Sequence, residues 1–469
     1  MNLENLNNYK NIHFIGIGGA GMYPLAVILR KMGFNVSGSD NYLSDTLQDA
    51  IKVGLKVFTE HKAGNVKNAD AVVFSAAIKE DNPELKFARL KGIPVLERAE
   101  LLGLIMNQYK DLVAVSGTHG KTTTSALLTH VFLKSGLDPT AVIGGKLPEI
   151  NGNSCFGISS YAVCEACEYV DTFLNLNPAV SVILNIDNDH LDYFKSINRL
   201  VDSFRKFANK AKKIVVINFE NKNTNSILEE ISLPILGFGL NEKLIDKDAK
   251  NKFLYIYSAI DIYENNGFYS FTVLKNKTEF LKISLSIPGR HNIYNALAVI
   301  AVSDYFKIPG EKIKVGVESF TGVHRRLEIL AKVNDITVMD DFAHHPTEIK
   351  ATLDTVSKMG FKRIISIFQP HTYSRTNALL DEFAKVLSKA DVSIVSEILA
   401  VREKNIYNVH SKDLVNLIKN GIYLKTFDDI TKYVKKIAKP GDLILTMSGG
   451  NVYKCANDIA SELRKMYSN

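Results

Sequence analysis

Leu112-Val113-Ala114-Val115-Ser116-Gly117-Thr118-His119-Gly120-Lys121-Thr122-Thr123 runs from an apolar stretch through two glycines into a segment with Leu128, Val131 and Phe132 at helical spacing. That pattern predicts a buried strand, a tight turn and a helix running to about Ser135. The turn is a shortened phosphate-binding loop: at the usual spacing its first glycine would fall on Val115, so Gly117 takes that place. The physics survives the shortening. Backbone N–H groups of Gly117, Thr118, His119, Gly120 and Thr123 can face a β-phosphate. Lys121 can neutralise the β- and γ-phosphates of ATP, and the Thr122 hydroxyl can reach Mg²⁺.

Working towards the N-terminus, Gly16-Ile17-Gly18-Gly19-Ala20-Gly21 fits G-x-G-x-x-G. It lies between a predicted strand, Asn11–Ile15, and a predicted helix, Met22–Met32, which stops at Gly33. Bare α-carbons let a backbone approach a pyrophosphate, and a helix N-terminus favours negative charge. Asp40 ends the next strand after Ser39, where an acid would hold a ribose hydroxyl. Strands at Phe34–Gly38 and Ala71–Ser75, alternating with helices, indicate a parallel sheet. On this loop and Asp40 alone, an NAD-dependent oxidoreductase is the rival reading, but it leaves the second glycine loop unexplained. A P-loop motor or binding module is the other rival.

Working towards the C-terminus, apolar strands are expected at Tyr161–Cys164 and Val180–Ile186. Glu165 ends the first and Glu168 follows; Asp187, Asp189 and His190 end the second. In a P-loop sheet such strand ends face the phosphates, and a carboxylate there can hold Mg²⁺ through oxygen. Cys164 and Cys167 form a C-x-x-C without a second pair, so they read as partly buried thiols rather than a zinc or redox centre. From Phe253 to Ile287 β-branched and aromatic residues alternate, with Asn266-Gly267 as a hairpin signal. A helix follows Pro288-Gly289 with Ala296, Leu297 and Ile300 on one face. Four more apolar runs, Ile336–Met339, Arg363–Phe368, Val392–Val395 and Leu443–Thr446, are spaced by helix lengths. Two loops at their ends are rich in polar groups: Asp340-Asp341-Phe342-Ala343-His344-His345-Pro346 and Gln369-Pro370-His371-Thr372-Tyr373-Ser374-Arg375. With Arg290, Arg325 and Arg326 nearby, these loops gather four of only 12 arginines; lysines number 45.

The chain has 469 residues, which at roughly 100–200 per domain suggests three domains. Apolar residues make up 46% and charged residues 23%, as in an ordinary globular protein. The net charge of +7 is thin for this length and gives no reason to expect nucleic acid. The four cysteines lack a secretory framework, the polar Met1–Tyr9 stretch lacks a signal-peptide pattern, and no run approaches 18 apolar residues. A cytoplasmic protein without membrane insertion is expected.

Together these motifs resemble the Mur ligase family. The matching stretches are His13–Met22, Gly117–Thr124, Glu165–Phe173, Asn185–His190, Pro288–Ala296, His324–Arg326, Asp340–Glu348, Phe368–Thr376 and Ser448–Tyr453, in the family's order over nearly the whole chain. The resemblance implies an α/β protein of three domains. They are a Rossmann-like UDP-sugar domain (1–109), a P-loop ATP domain with an antiparallel meander (110–321) and a Rossmann-like amino-acid domain (322–469). It implies an ATP-dependent ligase, with Mg²⁺, joining L-alanine to the lactyl carboxylate of UDP-N-acetylmuramate, and a monomer or weak homodimer. Gly18, Gly19, Ala20, Gly21, Met22, Ser39, Asp40, Ser75 and Arg98 then fall at the UDP-sugar. Thr122, Glu165 and His190 fall at magnesium, and His291, Asn292 and Asn295 on the adenine side. Arg325 and Asp341 match positions where the C-terminal domain meets ATP. His344, His371 and Arg375 lie near the amino acid. Phe342 and Thr372 depart from the Tyr and Arg of many relatives. A tripeptide-adding member of the family typically has Cys and bulkier residues in its first loop, unlike Gly16–Gly21.

Overall fold

The alternation of short apolar runs with amphipathic helices resolves into three sheets. The computed structural model describes residues 6–241, 252–401 and 403–467. The first sheet has β1 (Asn11–Ile15), β2 (Asn35–Ser39), β3 (Lys56–Phe58), β4 (Ala71–Phe74) and β5 (Val95–Glu97) in the order β3-β2-β1-β4-β5, all parallel. Its glycine loop leaves β1, the central strand, where the strand order reverses. β3 and β5 escaped the sequence reading because three residues are too few to show a period.

The second sheet has ten strands: β6 (Asp111–Ser116), β7 (Thr140–Leu147), β8 (Gly152–Cys155), β9 (Tyr161–Glu165), β10 (Val180–Ile183), β11 (Ile214–Asn218), β12 (Ile235–Gly239), β13 (Phe253–Asn265), β14 (Phe268–Lys275) and β15 (Thr278–Ser284). Their order is β15-β14-β13-β12-β11-β10-β6-β9-β7-β8. β6 lies between β9 and β10, parallel to both, so the P-loop faces the ends of those two strands. Both hairpins of the meander turn on two residues with positive φ, Asn266 (49°) with Gly267 (79°) and Asn276 (48°) with Lys277 (68°). That is the turn whose twist matches the flanking strands. β10 stops at Ile183 rather than Ile186, because Leu184 to Asn185 bend over to bond the P-loop. The helix His291–Tyr305 is buried all round from Ala296 to Val302, not on one face.

The third sheet has β16 (Glu328–Val333), β17 (Ile336–Asp341), β18 (Arg363–Phe368), β19 (Val392–Val395), β20 (Gly421–Tyr423) and β21 (Asp442–Met447), ordered β16-β17-β21-β18-β19-β20. Only β16 is antiparallel. Alternate residues feed two cores: Met339 and Leu443 pack with Leu353 and Phe383, whereas Val338 and Ile444 pack with Val434 and Ile459. Both faces are therefore covered by helices, as a parallel sheet requires.

The chain forms two compact units. One comprises Met1–Asp261, Phe271–Ile283 and Ile293–Phe320; the other comprises Ile262–Ser270, Ser284–Asn292 and Thr321–Asn469. The expected N-terminal region and most of the expected central region lie in the first unit, while 262–270 and 284–292 lie in the second. A single apolar core joins the two regions within the first unit, from Phe14, Leu25 and Leu101 through Leu112 to Phe173, Phe204 and Phe207. Phe173 stacks on Phe207 at 4.6 Å and 5°. Among the described residues no helix is long and apolar enough to cross a membrane.

The seam inside this unit is tight at Gly103, where an added Cβ would stand 2.6 Å from the Asn175 carbonyl oxygen. Backbone cannot move aside as a side chain can. Gly103→Ala is expected to destabilise the unit by about 1–3 kcal/mol, read as a lower denaturant midpoint. An unchanged midpoint would show that the seam yields.

Candidate active site

In the first unit two glycine loops lie at the C-terminal ends of parallel strands. The P-loop leaves β6 and enters the helix Lys121–Lys134. Gly117 and Gly120 have φ of 147° and 85°, and a Cβ at Gly120 would meet Asn295 Oδ1 at 2.8 Å. Both positions therefore need glycine. The Asn185 amide clasps the loop: its Oδ1 accepts from the His119 N–H at 2.8 Å and its Nδ2 donates to the His119 carbonyl at 3.0 Å. Thr118 Oγ1 accepts from the Asp187 N–H at 2.9 Å. The helix N-terminus, with the amides of Lys121 to Thr123 at its mouth, is a ready anion site.

Lys121 Nζ donates to the carbonyls of Gly117 (2.5 Å) and Thr118 (3.1 Å) and pairs with Glu168 at 2.9–3.0 Å. Burial works to lower the Lys121 pKa, but the Glu168 carboxylate, with Cys167 and Glu165 nearby, raises it above its ordinary value. The ammonium therefore keeps its charge. His190 Nε2 lies 4.0 Å from the same Glu168, and its ring packs 4.6 Å from Tyr169.

Glu168 is thus the carboxylate joining Lys121 to His190. Glu165, the stronger expectation from sequence, turns to Gly144, whose N–H donates to it at 2.8 Å. Its charge still acts on Lys121. Thr122 is buried in the first turn. Cys164 and Cys167 are free thiols, and burial pushes Cys164 up to about 12. Among the described residues no group of three His, Cys, Asp or Glu gathers at metal-ligand range.

The first glycine loop spends its leading amides on itself. Gly16 and Ile17 N–H donate to the Ser39 carbonyl (2.7 and 3.1 Å), and Gly18 N–H donates to Asp40 Oδ2 at 3.0 Å. Asp40 therefore shapes the loop. Ser39, expected near the UDP-sugar, has its side chain buried behind the loop, bonded to Glu84 and His61. Ser75 Oγ is 3.6 Å from where a Gly16 Cβ would stand, and Arg98 lies along Gly21. Ala20 accepts at its carbonyl from Asn153 Nδ2 at 3.2 Å. Gly19 packs against Met22, itself buried.

Of the expected adenine-side residues, Asn295 touches Gly120 in the first unit. In the second unit, Asn292 Nδ2 donates to the Pro288 carbonyl at 2.7 Å, and the His291 ring covers Gly289.

In the second unit, loops after β17, β18 and β21 converge. Arg325 (φ 63°) donates to Asp340 (3.1 Å) and to the Ser448 carbonyl (2.6 Å), and lies between the rings of Phe342 and Tyr453 at 4.9 and 4.8 Å. Asp341 is buried, and its oxygens accept from the Leu327 and Ala343 N–H groups and the Thr352 hydroxyl. It braces these loops from within. Burial raises Asp340 to about 6, against the pull of Thr446 and Arg325. The His344 and His371 rings stand 6.1 Å apart, and Arg375 reaches His371 Nδ1 at 3.4 Å. Glu403, unmarked in sequence, accepts from Ser374 N–H at 2.9 Å and from its hydroxyl at 2.5 Å. Thr372 caps the short helix Tyr373–Ala378 with φ 68°.

Three family models match consecutive parts of the chain: the Mur ligase family catalytic domain over 11–110, the Mur ligase middle domain over 115–303 and the Mur ligase glutamate ligase domain over 325–450. The UDP-N-acetylmuramate–L-alanine ligase of Acetivibrio thermocellus is 48% identical over 96% of this chain and 95% of its own length. The enzyme of that name from Clostridium tetani is 44% identical over 97% and 99%. The solved structure of UDP-N-acetylmuramate-alanine ligase from Thermotoga maritima is similar with a TM-score of 0.82, at 28% identity, over 98% of this chain and 100% of that one. A murein peptide ligase from Psychrobacter arcticus is similar at 0.73 and 25%, over 97% and 98%.

His371 carries a pH signature. Burial, then the charges of His344 and Arg375, bring it down to about 4 from its ordinary 6.5, against the pull of Glu403. Between those values the unfolded chain binds the proton and the native one does not, so acidification from 6.5 towards 4 costs stability; above 6.5 nothing is lost. The ring should titrate by NMR near 4, and His371→Gln should flatten the fall in denaturant midpoint between pH 6.5 and 5. Comparing variant with wild type cancels the opposite contribution of Asp340. A ring midpoint near 6.5 would contradict the environment described.

Proposed function

The chain belongs to the Mur ligase family, and we propose that it joins L-alanine to the lactyl carboxylate of UDP-N-acetylmuramate with cleavage of ATP, in cytoplasmic synthesis of a peptidoglycan precursor. One observation carries the reading. A single compact unit holds two glycine loops of phosphate-binding type, in a chain similar end to end to ligases named for those substrates. Residues 1–109 take the UDP-sugar, 110–321 take ATP and 322–469 take the amino acid.

A carboxylate is a poor acyl donor because it is anionic. In the proposed reaction its oxygen attacks the γ-phosphorus of ATP, giving an acyl phosphate and ADP. The alanine amine then attacks the acyl carbon, loses a proton and releases phosphate. Lys121, held charged by Glu168, is placed to neutralise the transferring group. Magnesium, when bound, supplies further neutralisation of phosphate charge. Thr122, Glu165 and His190, with Glu168, are the side chains that would hold it. Their fit is sufficient because Mg²⁺ keeps waters and phosphate oxygens and needs only one or two carboxylates. Arg375 offers a planar fork to the carboxylate of the amino acid, beside His344 and His371.

Lys121→Ala is expected to lower turnover by about 10²–10³-fold, with the fold retained. Near wild-type ligation by that variant would remove the ATP-site assignment. Phosphate release should need UDP-N-acetylmuramate and L-alanine together, each omitted in turn. Release needing neither would refute the ligase reading in favour of a plain ATPase.

A further inference from the structure

Behind the first glycine loop lies a buried carboxylate that the proposed chemistry does not use. Glu84 opens the helix Pro83–Leu90, and its side chain is fully buried. A charge so placed persists only with partners. Ser39 Oγ donates to Glu84 Oε2 at 2.5 Å and Asn65 Nδ2 donates to Oε1 at 2.6 Å. His61 Nδ1 stands 3.2 Å from Oε2 and 2.8 Å from Ser39 Oγ. His13 Nε2 lies 3.6 Å from Oε1, an electrostatic contact, while its Nδ1 meets Ser37 Oγ at 2.9 Å. Burial pushes the Glu84 carboxyl up, but His13, Ser39 and Asn65 outweigh it and hold it below its ordinary value.

These partners come from separate segments: β1 (His13), β2 (Ser37, Ser39), the stretch after β3 (His61, Asn65) and the helix after β4 (Glu84). They share one acceptor, and Ser39 links it to the loop. Its hydroxyl binds Glu84 while its carbonyl accepts from Gly16 and Ile17 N–H. On the other side the backbone at Gly38 packs too closely to admit a side chain: a Cβ there would stand 2.6 Å from Ile17 and 2.7 Å from the Phe14 carbonyl oxygen. Asp40, the residue after Ser39, accepts from Gly18 N–H. The loop's conformation therefore passes through two consecutive residues, Ser39 at the end of β2 and Asp40 just after it, and Glu84 anchors the first.

We propose that Glu84 is the positioning residue of the first glycine loop, holding Ser39 so that Gly16–Gly21 keeps its ligand-binding shape. It touches no substrate. The effect on a nucleotide-sugar rests on the function proposed above; the effect on the loop does not.

The test is Glu84→Gln in the full chain, which keeps the shape but sets an amide against Ser39 and His61. Amide hydrogen exchange at Gly16 and Ile17 in the protein alone should accelerate about tenfold or more, with the helix Lys121–Lys134 unchanged. KM for UDP-N-acetylmuramate should rise about tenfold or more, while KM for ATP and kcat stay within about twofold. A merely structural role would lower the active fraction without singling out one KM. If Glu84→Gln does not fold, Ser39→Ala carries the same test, since it cuts the hydroxyl link and keeps the carbonyl. In a folded double variant the second change should add little to the first. Unchanged exchange at Gly16 and Ile17 with an unchanged KM would overturn the inference. Wild type that binds no UDP-N-acetylmuramate would instead defeat the functional reading, and the exchange result would then decide Glu84 alone.

Discussion

The side chain of Asn185 returns both hydrogen bonds of His119, one at 2.8 Å and one at 3.0 Å, and the geometry of the phosphate loop depends on this clasp. Left to itself, a turn with two glycines has many conformations. Held at His119 from the end of β10, it delivers Lys121 to the helix N-terminus with its amides outward. Lys121 then meets Glu168, and Glu168 approaches His190. Each step of that chain is short-range, so displacing the first moves the rest.

Burying the Lys121–Glu168 pair carries a desolvation cost that attraction need not repay in stability. In the proposed reaction its value is chemical. A lysine kept charged in a water-poor niche acts more strongly on phosphate than the same charge in bulk solvent. The first loop uses another device with the same purpose. Its leading amides bind Ser39 and Asp40, so that the loop is preset, and the buried Glu84 cluster backs that arrangement. In both places the sheet supplies rigidity and polar side chains aim the backbone.

Much of the scaffold was legible in sequence, for physical reasons. Both glycine loops sit between an apolar run and a helix, and their signatures are local. Longer strands, such as β6, β17 and β18, declared themselves as β-branched runs, and Asn266-Gly267 announced its turn. The three-residue strands β3, β5 and β20 left no period to read. The half-buried alternation of Glu328–Val333 did not separate β16 from a loop. In the sequence Glu168 is only a second carboxylate three residues beyond Glu165. Choosing between them needed the backbone beyond β9, where Val170 and Asp171 take φ of 54° and 56° and the chain turns back.

The sequence by itself determined the alternating α/β plan, the two glycine loops at strand ends, and the gathering of His344, His371 and Arg375 in loops after β17 and β18. Those features follow from neighbours within a few residues. The tertiary structure alone decided which carboxylate meets Lys121, that Ser39 and Asp341 brace loops from within, and that the first two regions share one core. It also brought Glu84 together with His13, Ser39, His61 and Asn65. Such choices depend on burial and on contacts between residues 11 to 71 positions apart. A one-dimensional pattern carries no record of which polar group loses its water, and that loss sets each partner here.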